Sequence, residues 1–459
     1  MTGVIGILLS LALLMYLAYR GISVIILAPV LAMLAVVFAG EGAQMLGIYT
    51  QIFMAKMGSF AVKYFPIFLL GAIFGKLMED SGSAKIIAKT IINSLGIKHA
   101  ALAIVLACGL LTYGGVSAFV VAFAVYPLAA ALFREADLPK RFIPATIALG
   151  AFTFTMTCLP GTSQIHNIIP VSYFGTDMYA APVIGLCAGV TMMLGGLWWI
   201  NRRINIYKNE GYGDKQSNEP ITIQDQHLPG LWVALLPILV VVLSNFVFQK
   251  MLIPGWDTTY LNTDKFGNLD VNKVKSIWSM IMALILAITT VVMFNWAKFT
   301  DVNVTMTKGA MGSMLPTFNT ASEVGYGGTI ASLGAFLLVK EAVINISPGN
   351  PLISEVVAVN VLAGITGSAS GGLTIALEAL GTTYAQLAEQ FNINPEWMHR
   401  LASMASGGFD SLPHNGAVIT LLTICGLSHK QSYKDIFMVS LVIPVTITAI
   451  TVAILSFII

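Results

Sequence analysis

Apolar runs as long as a bilayer is thick recur from end to end of this 459-residue chain. A helix needs about 20 apolar residues to cross the hydrocarbon core, and backbone that leaves the helix there must be satisfied by protein or by a water-filled cavity. Spans are predicted near 2–19, 21–39, 63–78, 142–175, 180–200, 231–251, 276–296, 309–338, 398–426 and 435–458. Hydrophobic residues make up 56% of the chain and charged residues 10%, against roughly 25% charged in a soluble domain, so the fold class is an all-α polytopic membrane protein in a lipid bilayer. A net charge of +2 excludes a large basic face for nucleic acid. Met1 to Tyr19 lacks the basic start of a secretory signal and is read as a retained first span.

Two stretches far apart break their apolar segments in the same way. Tyr113-Gly114-Gly115-Val116-Ser117 precedes Leu159-Pro160-Gly161-Thr162-Ser163-Gln164, and Ser370-Gly371-Gly372-Leu373-Thr374 precedes Leu412-Pro413-His414-Asn415-Gly416. The offsets nearly agree: 371 − 114 = 257 for the glycine pairs and 413 − 160 = 253 for the Leu-Pro pairs. Segments 98–133 and 352–382 are too long for one span and are interrupted at Gly-Gly, so each is predicted to be a re-entrant hairpin. Segments 142–175 and 398–426 are predicted to be broken helices. Ahead of the hairpins, residues 79–99 and the shorter stretch Lys340 to Pro351 read as arms lying at the interface.

Each half is thus three spans, an arm, a hairpin, a broken span and a final span. Residues 1–200 form the first repeat, 201–230 a polar cytoplasmic linker and 231–459 the second repeat. Lysines and arginines of short loops belong inside, which puts Arg20, Lys85, Lys89, Lys140, Arg202, Arg203, Lys430 and Lys434 there and both termini outside. With five spans per half, the second half enters from the opposite side and the repeats are inverted.

Paired breaks of this kind point to a secondary transporter. A hairpin that turns at Gly-Gly starts its second limb with free N–H groups and the positive end of a helix dipole, a site for an anion. Ser117, Ser368, Ser370 and Thr374 add hydroxyls there, and Pro160 and Pro413 free carbonyls in the broken spans. Thr155, Thr157, Thr162, Ser163, Gln164 and Asn167 cluster at the first break, and Asp410, Ser411, His414 and Asn415 at the second. The substrate-binding candidates are Tyr113, Gly114, Gly115, Ser117, Thr162, Ser163, Gln164, Asn167, Ser370, Gly371, Gly372, Thr374, His414 and Asn415. No arginine or lysine lies within either motif pair, so helix ends and hydroxyls, with His166 or His414, are expected to hold a small organic-acid anion. Asp410 stands where the first half has Thr157, and a buried carboxyl suits it to carry a proton, with His414 beside it. Glu323 and Glu378 are weaker candidates that could face an aqueous vestibule, while His99, His227, His399 and His429 fall at segment ends and are expected to be solvated.

Cys108, Cys158, Cys187 and Cys425 sit in apolar surroundings without metal-ligand spacing and read as small buried hydrophobes, so no disulfide, metal site or cofactor is expected. Residues 71–77 have the wrong spacing for a phosphate-binding loop, which leaves an ion gradient to drive transport. A membrane enzyme would need a nucleophile and base or a metal cluster, and no such constellation is visible. A channel requires no inverted repeats.

The order of motifs resembles the gluconate permease family, within the ion transporter superfamily of inverted-repeat, re-entrant-hairpin carriers. The likeness runs nearly end to end and is most specific at 111–120, 144–152, 159–162 and 409–416. Ala18 to Gly21 and Tyr64 to Gly71 are most similar to the branch of 3-hydroxybutyrate permeases. The resemblance implies proton symport of a small hydroxylated monocarboxylate, of gluconate or 3-hydroxybutyrate type, across a bacterial inner membrane. Sodium coupling is the alternative, because carbonyls and hydroxyls at the hairpin tips suit sodium too. Carriers of this build commonly form homodimers through their scaffold spans. The chain departs from that branch at Thr157 and His166, where the branch often has Asp and Gln, so the proton role moves to Asp410.

Overall fold

The computed structural model describes residues 2–20, 22–213, 228–413 and 415–458. His414 and residues 214–227 of the expected linker, His227 among them, lie outside them. Among the described residues every regular element is helical. Among those residues, five helices are long and apolar enough to cross a membrane: Gly42–Asp80, Pro182–Glu210, Leu231–Gly255, Lys275–Lys298 and His429–Ser456. They correspond to five of the ten expected spans. Thr2–Tyr19 and Val24–Phe38 are shorter at 18 and 15 residues, and Val302–Ser332 bends by 96° into Phe336–Ile344. The two expected broken helices fall into short pieces. Helix Pro182–Tyr207 runs through the start of the expected linker.

The arm is the helix Ser83–Leu95, shorter than the expected 79–99. Its sequence repeats apolar residues at helical spacing: Ala84, Ile87, Ala88 and Ile92 are buried. A 104° bend then leads into Ala100–Tyr113. The expected second arm, Lys340 to Pro351, overlaps the helix Phe336–Ile344 only at residues 340–344; that helix carries Lys340 and Glu341 and exposes Leu337 and Leu338.

Both hairpins are present as two packed limbs, Ala100–Tyr113 with Ala118–Glu135 and Pro351–Thr366 with Ala369–Gln390. A 14-residue limb such as the first rises only about 21 Å, short of the roughly 30 Å hydrocarbon core. The first hairpin turns at Gly114-Gly115, as expected. The second does not turn at Gly371-Gly372, which lie inside the second limb, but at Gly367, whose φ is +63°. Gly372 serves close packing instead: a Cβ there would sit 2.1 Å from the Ala363 backbone nitrogen of the facing limb. The matching positions of the two tips are therefore Ser117 and Ser368, each the N-cap of its second limb. Their offset, 368 − 117 = 251, lies nearer the 253 of the Leu-Pro pairs than the glycine pairs do.

The halves are interwoven. One buried cluster joins the first hairpin and first broken segment to Ala234, Ile238, Val241, Met280 and Leu284 from the leading helices of the second half. The other joins the second hairpin to Ile7, Leu14, Leu27, Leu31 and Val36 from the leading helices of the first half. Helix Pro182–Tyr207 shows how the bundle meets lipid. Val183, Leu186, Val190, Leu194 and Trp198 are exposed on one face. On the buried side, a Cβ at Gly185 would lie 2.3 Å from the Cys158 carbonyl oxygen and one at Gly196 2.4 Å from Leu149. Without a hydrophobic drive inside lipid, small residues of this kind let backbones pack closely. Cys187, on the same helix, is exposed rather than buried, whereas Cys108, Cys158 and Cys425 are buried.

Candidate transport site

Each hairpin tip rests on the broken segment of its own half. At the first pair, the Tyr113 hydroxyl donates to the Pro160 carbonyl at 3.0 Å, Gln164 Nε2 donates to the Thr112 carbonyl at 2.8 Å and Ser163 Oγ donates to the Tyr113 carbonyl at 3.5 Å. The Pro160 carbonyl freed by the break is thus already bonded. Gly115 has φ +94°, and a Cβ there would lie 2.8 Å from Ser163 Oγ. Gly114 faces Ile238 of the opposite half, 2.7 Å from where its Cβ would be. Ser117 Oγ accepts from Val120 N at 3.4 Å and opens the second limb. Gly115→Ala is expected to cost about 1–3 kcal/mol from the left-handed backbone alone. Thermal unfolding of the detergent-solubilised protein reads this out, and an unchanged midpoint would contradict the tip geometry.

At the second pair, Asn415 Nδ2 donates to the Gly367 carbonyl at 2.9 Å, and its Oδ1 caps Gly416–Ile424 by accepting from Ala417 N and Val418 N. Ser368 Oγ caps its limb through Gly371 N at 3.1 Å. Ser370 Oγ stands 3.4 Å from both Ser368 Oγ and Thr320 Oγ1. Thr374 is one turn deeper, and its hydroxyl is committed to the Ser370 carbonyl at 2.6 Å. Asp410 is buried in the turn Phe409–Ser411 and accepts from Ser411 Oγ at 3.2 Å. The Pro413 carbonyl lies 2.9 Å from His429 Nε2, and Tyr433 donates to the Ser411 carbonyl at 3.0 Å.

The two breaks meet. A Cβ on Gly407 would stand 2.7 Å from Thr157 Cγ2, and Ser403 Oγ donates to the Thr157 carbonyl at 2.8 Å. Arg400 ties them further, and this overturns the expectation that no cationic side chain reaches the motifs. Its fully buried guanidinium, from the second half, donates to Asn167 Oδ1 at 2.9 Å and to the Ala180 carbonyl at 2.8 and 3.1 Å. Asn167 in turn donates to the carbonyls of Thr162 and Met178. The neighbouring Glu396 accepts from Ala181 N, holding that residue at φ +44°. His399 is fully buried rather than solvated, between Thr176 Oγ1 at 2.6 Å and Asn167 Oδ1. Sequence gave one signal for this network: an arginine within an apolar segment must find carbonyls or a counter-charge.

The other acidic candidates separate. Glu378 bonds Lys56 at 2.6 Å and the Tyr173 hydroxyl at 3.0 Å, so it is already paired. Glu323 is 2% exposed rather than facing a vestibule, and Glu355, absent from the sequence-based candidates, is 0% exposed. Buried polar side-chain atoms without a hydrogen-bond partner distribute unevenly. On the first tip and break they are the hydroxyls of Thr112 and Thr162 and Nδ1 of His166. Around the second hairpin they include Glu323 Oε2, both Glu355 oxygens and Asn360 Oδ1, with the hydroxyls of Ser322 and Tyr384. Native structures leave few such groups, and each calls for an explanation. A cavity of about 680 Å³ beside Ser83–Leu95 includes none of the tip or break residues.

Facing pairs of interrupted helices inside an apolar bundle are the architecture of a membrane transporter. The chain belongs to the GntP permease family, whose sequence profile matches residues 2–458. It is 46% identical over 451 residues, 95% of each chain, to the uncharacterized transporter YxjC of Bacillus subtilis. It is 25% identical to the gluconate permease of Zymomonas mobilis over 88% of this chain and 86% of that one. A high-affinity gluconate transporter of Escherichia coli is 31% identical over 28% of this chain and 29% of its own. The fold is shared with the YdaH transporter of Alcanivorax borkumensis at a TM-score of 0.58, 15% identity and coverage of 91% and 89%. The protein is a multi-pass transporter and not an enzyme.

Proposed function

We propose that the protein is a secondary active transporter that imports a small hydroxylated monocarboxylate of the gluconate or 3-hydroxybutyrate type, by proton symport, across a bacterial inner membrane. The observation that carries this reading is the polarity of the unpartnered groups. Those at the first tip and break can donate, at Thr112, Thr162 and His166, beside a buried Arg400 that bonds neutral oxygens. A carboxylate with a hydroxyl neighbour fits donors of that kind. The second pair carries Asp410, the group assigned to the proton. The two halves act as inverted repeats, with Ser117 answering Ser368 and Thr157 answering Asp410, and the substrate exchanges access as the tips move against the breaks.

The test is uptake of radiolabelled gluconate and 3-hydroxybutyrate into proteoliposomes under an imposed pH gradient, with and without a protonophore or sodium. Uptake that ignores the protonophore overturns the coupling, and failure of both acids overturns the substrate class. Ser117→Ala is expected to raise the half-saturation concentration roughly ten- to a hundredfold, the loss of about 1.5–3 kcal/mol for a hydrogen bond to a charged group. Thr374→Ala is expected to leave it unchanged, because that hydroxyl already serves the Ser370 carbonyl. The reverse ranking would move the site to the second tip.

A further inference from the structure

We propose that Glu323 is the site of a second coupling cation, a proton or a sodium ion, taken up beneath the second hairpin tip. The inference rests on the symport reading and adds a site to it. Glu323 lies on Val302–Ser332, and its carboxyl presses against the first turn of Ala369–Gln390: a Cβ on Gly371 would lie 2.0 Å from Oε2 and 2.7 Å from Oε1. Only glycine leaves room for it there. The side chain is 2% exposed and Oε2 has no partner. A buried carboxylate is costly unless something neutralises it.

Among the described residues, the surroundings supply oxygen and no counter-charge. Thr320 Oγ1, one turn before Glu323, stands 3.4 Å from Ser370 Oγ, which stands 3.4 Å from Ser368 Oγ. These separations are long for hydroxyl hydrogen bonds, which run about 2.5–3.0 Å. They match oxygens at right angles around a hard cation with metal–oxygen distances of about 2.3–2.6 Å. The charged groups on the packed elements are engaged elsewhere or distant along their helices, as are Lys308, 15 residues before Glu323, and Glu389, 18 residues after Gly371. Lys56 of Gly42–Asp80 pairs with Glu378 of Ala369–Gln390 at 2.6 Å, Lys76 pairs with Glu79 and Asp80, and Lys63 lies over the Tyr64 ring. Of the tyrosines on these elements, Tyr326 bonds Ser10 and Tyr64 bonds Ser172, while Tyr384, whose hydroxyl has no partner, lies 13 residues beyond Gly371 on Ala369–Gln390. Val24–Phe38 carries no charge. Subtracting the tip offset of 251 from 323 gives Ala72, so the first half has no such carboxyl.

The charge balance makes the consequence measurable. A monoanion moving with the Asp410 proton alone carries no net charge. With a second cation on Glu323, each cycle moves one positive charge inward. Gluconate accumulation by wild-type proteoliposomes, with the potential set by potassium and valinomycin at fixed pH gradient, is expected to rise about tenfold for every 59 mV inside-negative. Glu323→Gln is expected to flatten that response while accumulation still follows the pH gradient, and Glu323→Asp is expected to restore part of it. A response that vanishes without sodium names sodium as the cation, and one that persists names the proton. Wild-type accumulation insensitive to potential, or a Glu323→Gln variant as sensitive as wild type, overturns the proposal. If wild type transports no gluconate, the substrate reading has failed, and carbodiimide labelling of the substrate-free protein decides the cation site. Glu323 modified in acid and protected by alkali or sodium supports the site, and an unmodified Glu323 overturns it.

Discussion

Arg400→Met is expected to destabilise the protein more than any other single substitution at the candidate site, by about 3–5 kcal/mol. The guanidinium is fully buried and donates to Asn167 Oδ1 and to the Ala180 carbonyl through separate nitrogens. Methionine fills much of the volume, leaves the Ala180 carbonyl unpaired in an apolar interior and leaves Asn167 Oδ1 only the 3.4 Å contact with His399, so the desolvation of these groups is no longer offset. Arg400→Lys is expected to rescue little, because an ammonium cannot present donors in a planar fork to two acceptors. The measurement is thermal unfolding of the solubilised protein with binding of labelled gluconate alongside. Stability close to wild type in Arg400→Met would show that this network does not hold the two breaks together.

Asp410→Asn is expected to separate exchange from accumulation. The amide keeps the shape of the turn and can still accept from Ser411, but it cannot cycle a proton. One proton per substrate converts each unit of pH gradient into tenfold accumulation, about 1.4 kcal/mol. The variant is therefore expected to accumulate about tenfold less at a one-unit gradient, while counterflow between equal pools of labelled and unlabelled substrate continues. Full pH-driven accumulation in Asp410→Asn would remove the residue from the coupling path.

Much of the organisation was legible because lipid leaves few choices. Residues at Ser117, Pro160, Asn415 and Asp410 could be singled out from a chain met without context, since a polar or helix-breaking residue in an apolar run needs a reason. The errors share a physical cause. Gly371-Gly372 looked like a turn, but glycine also marks close helix contact, and only the facing Ala363 backbone and the Glu323 carboxyl show which use applies. His399 looked solvated because it starts a segment, yet Asn167 and Thr176, 232 and 223 residues away, enclose it.

The sequence by itself determined that the chain is helical and membrane-embedded, and that its helices break at Gly114-Gly115 and at the two Leu-Pro pairs. Those follow from local rules: the length of an apolar run, the missing N–H of proline and the cost of charge in hydrocarbon. Tertiary structure decided which groups share a site. It carried Arg400 from the second half to the first break and brought Thr157 against Gly407. It also set the leading helices of each half over the hairpin of the other. Such contacts depend on how small and large residues fit across two hundred or more positions, information that no local window of sequence contains.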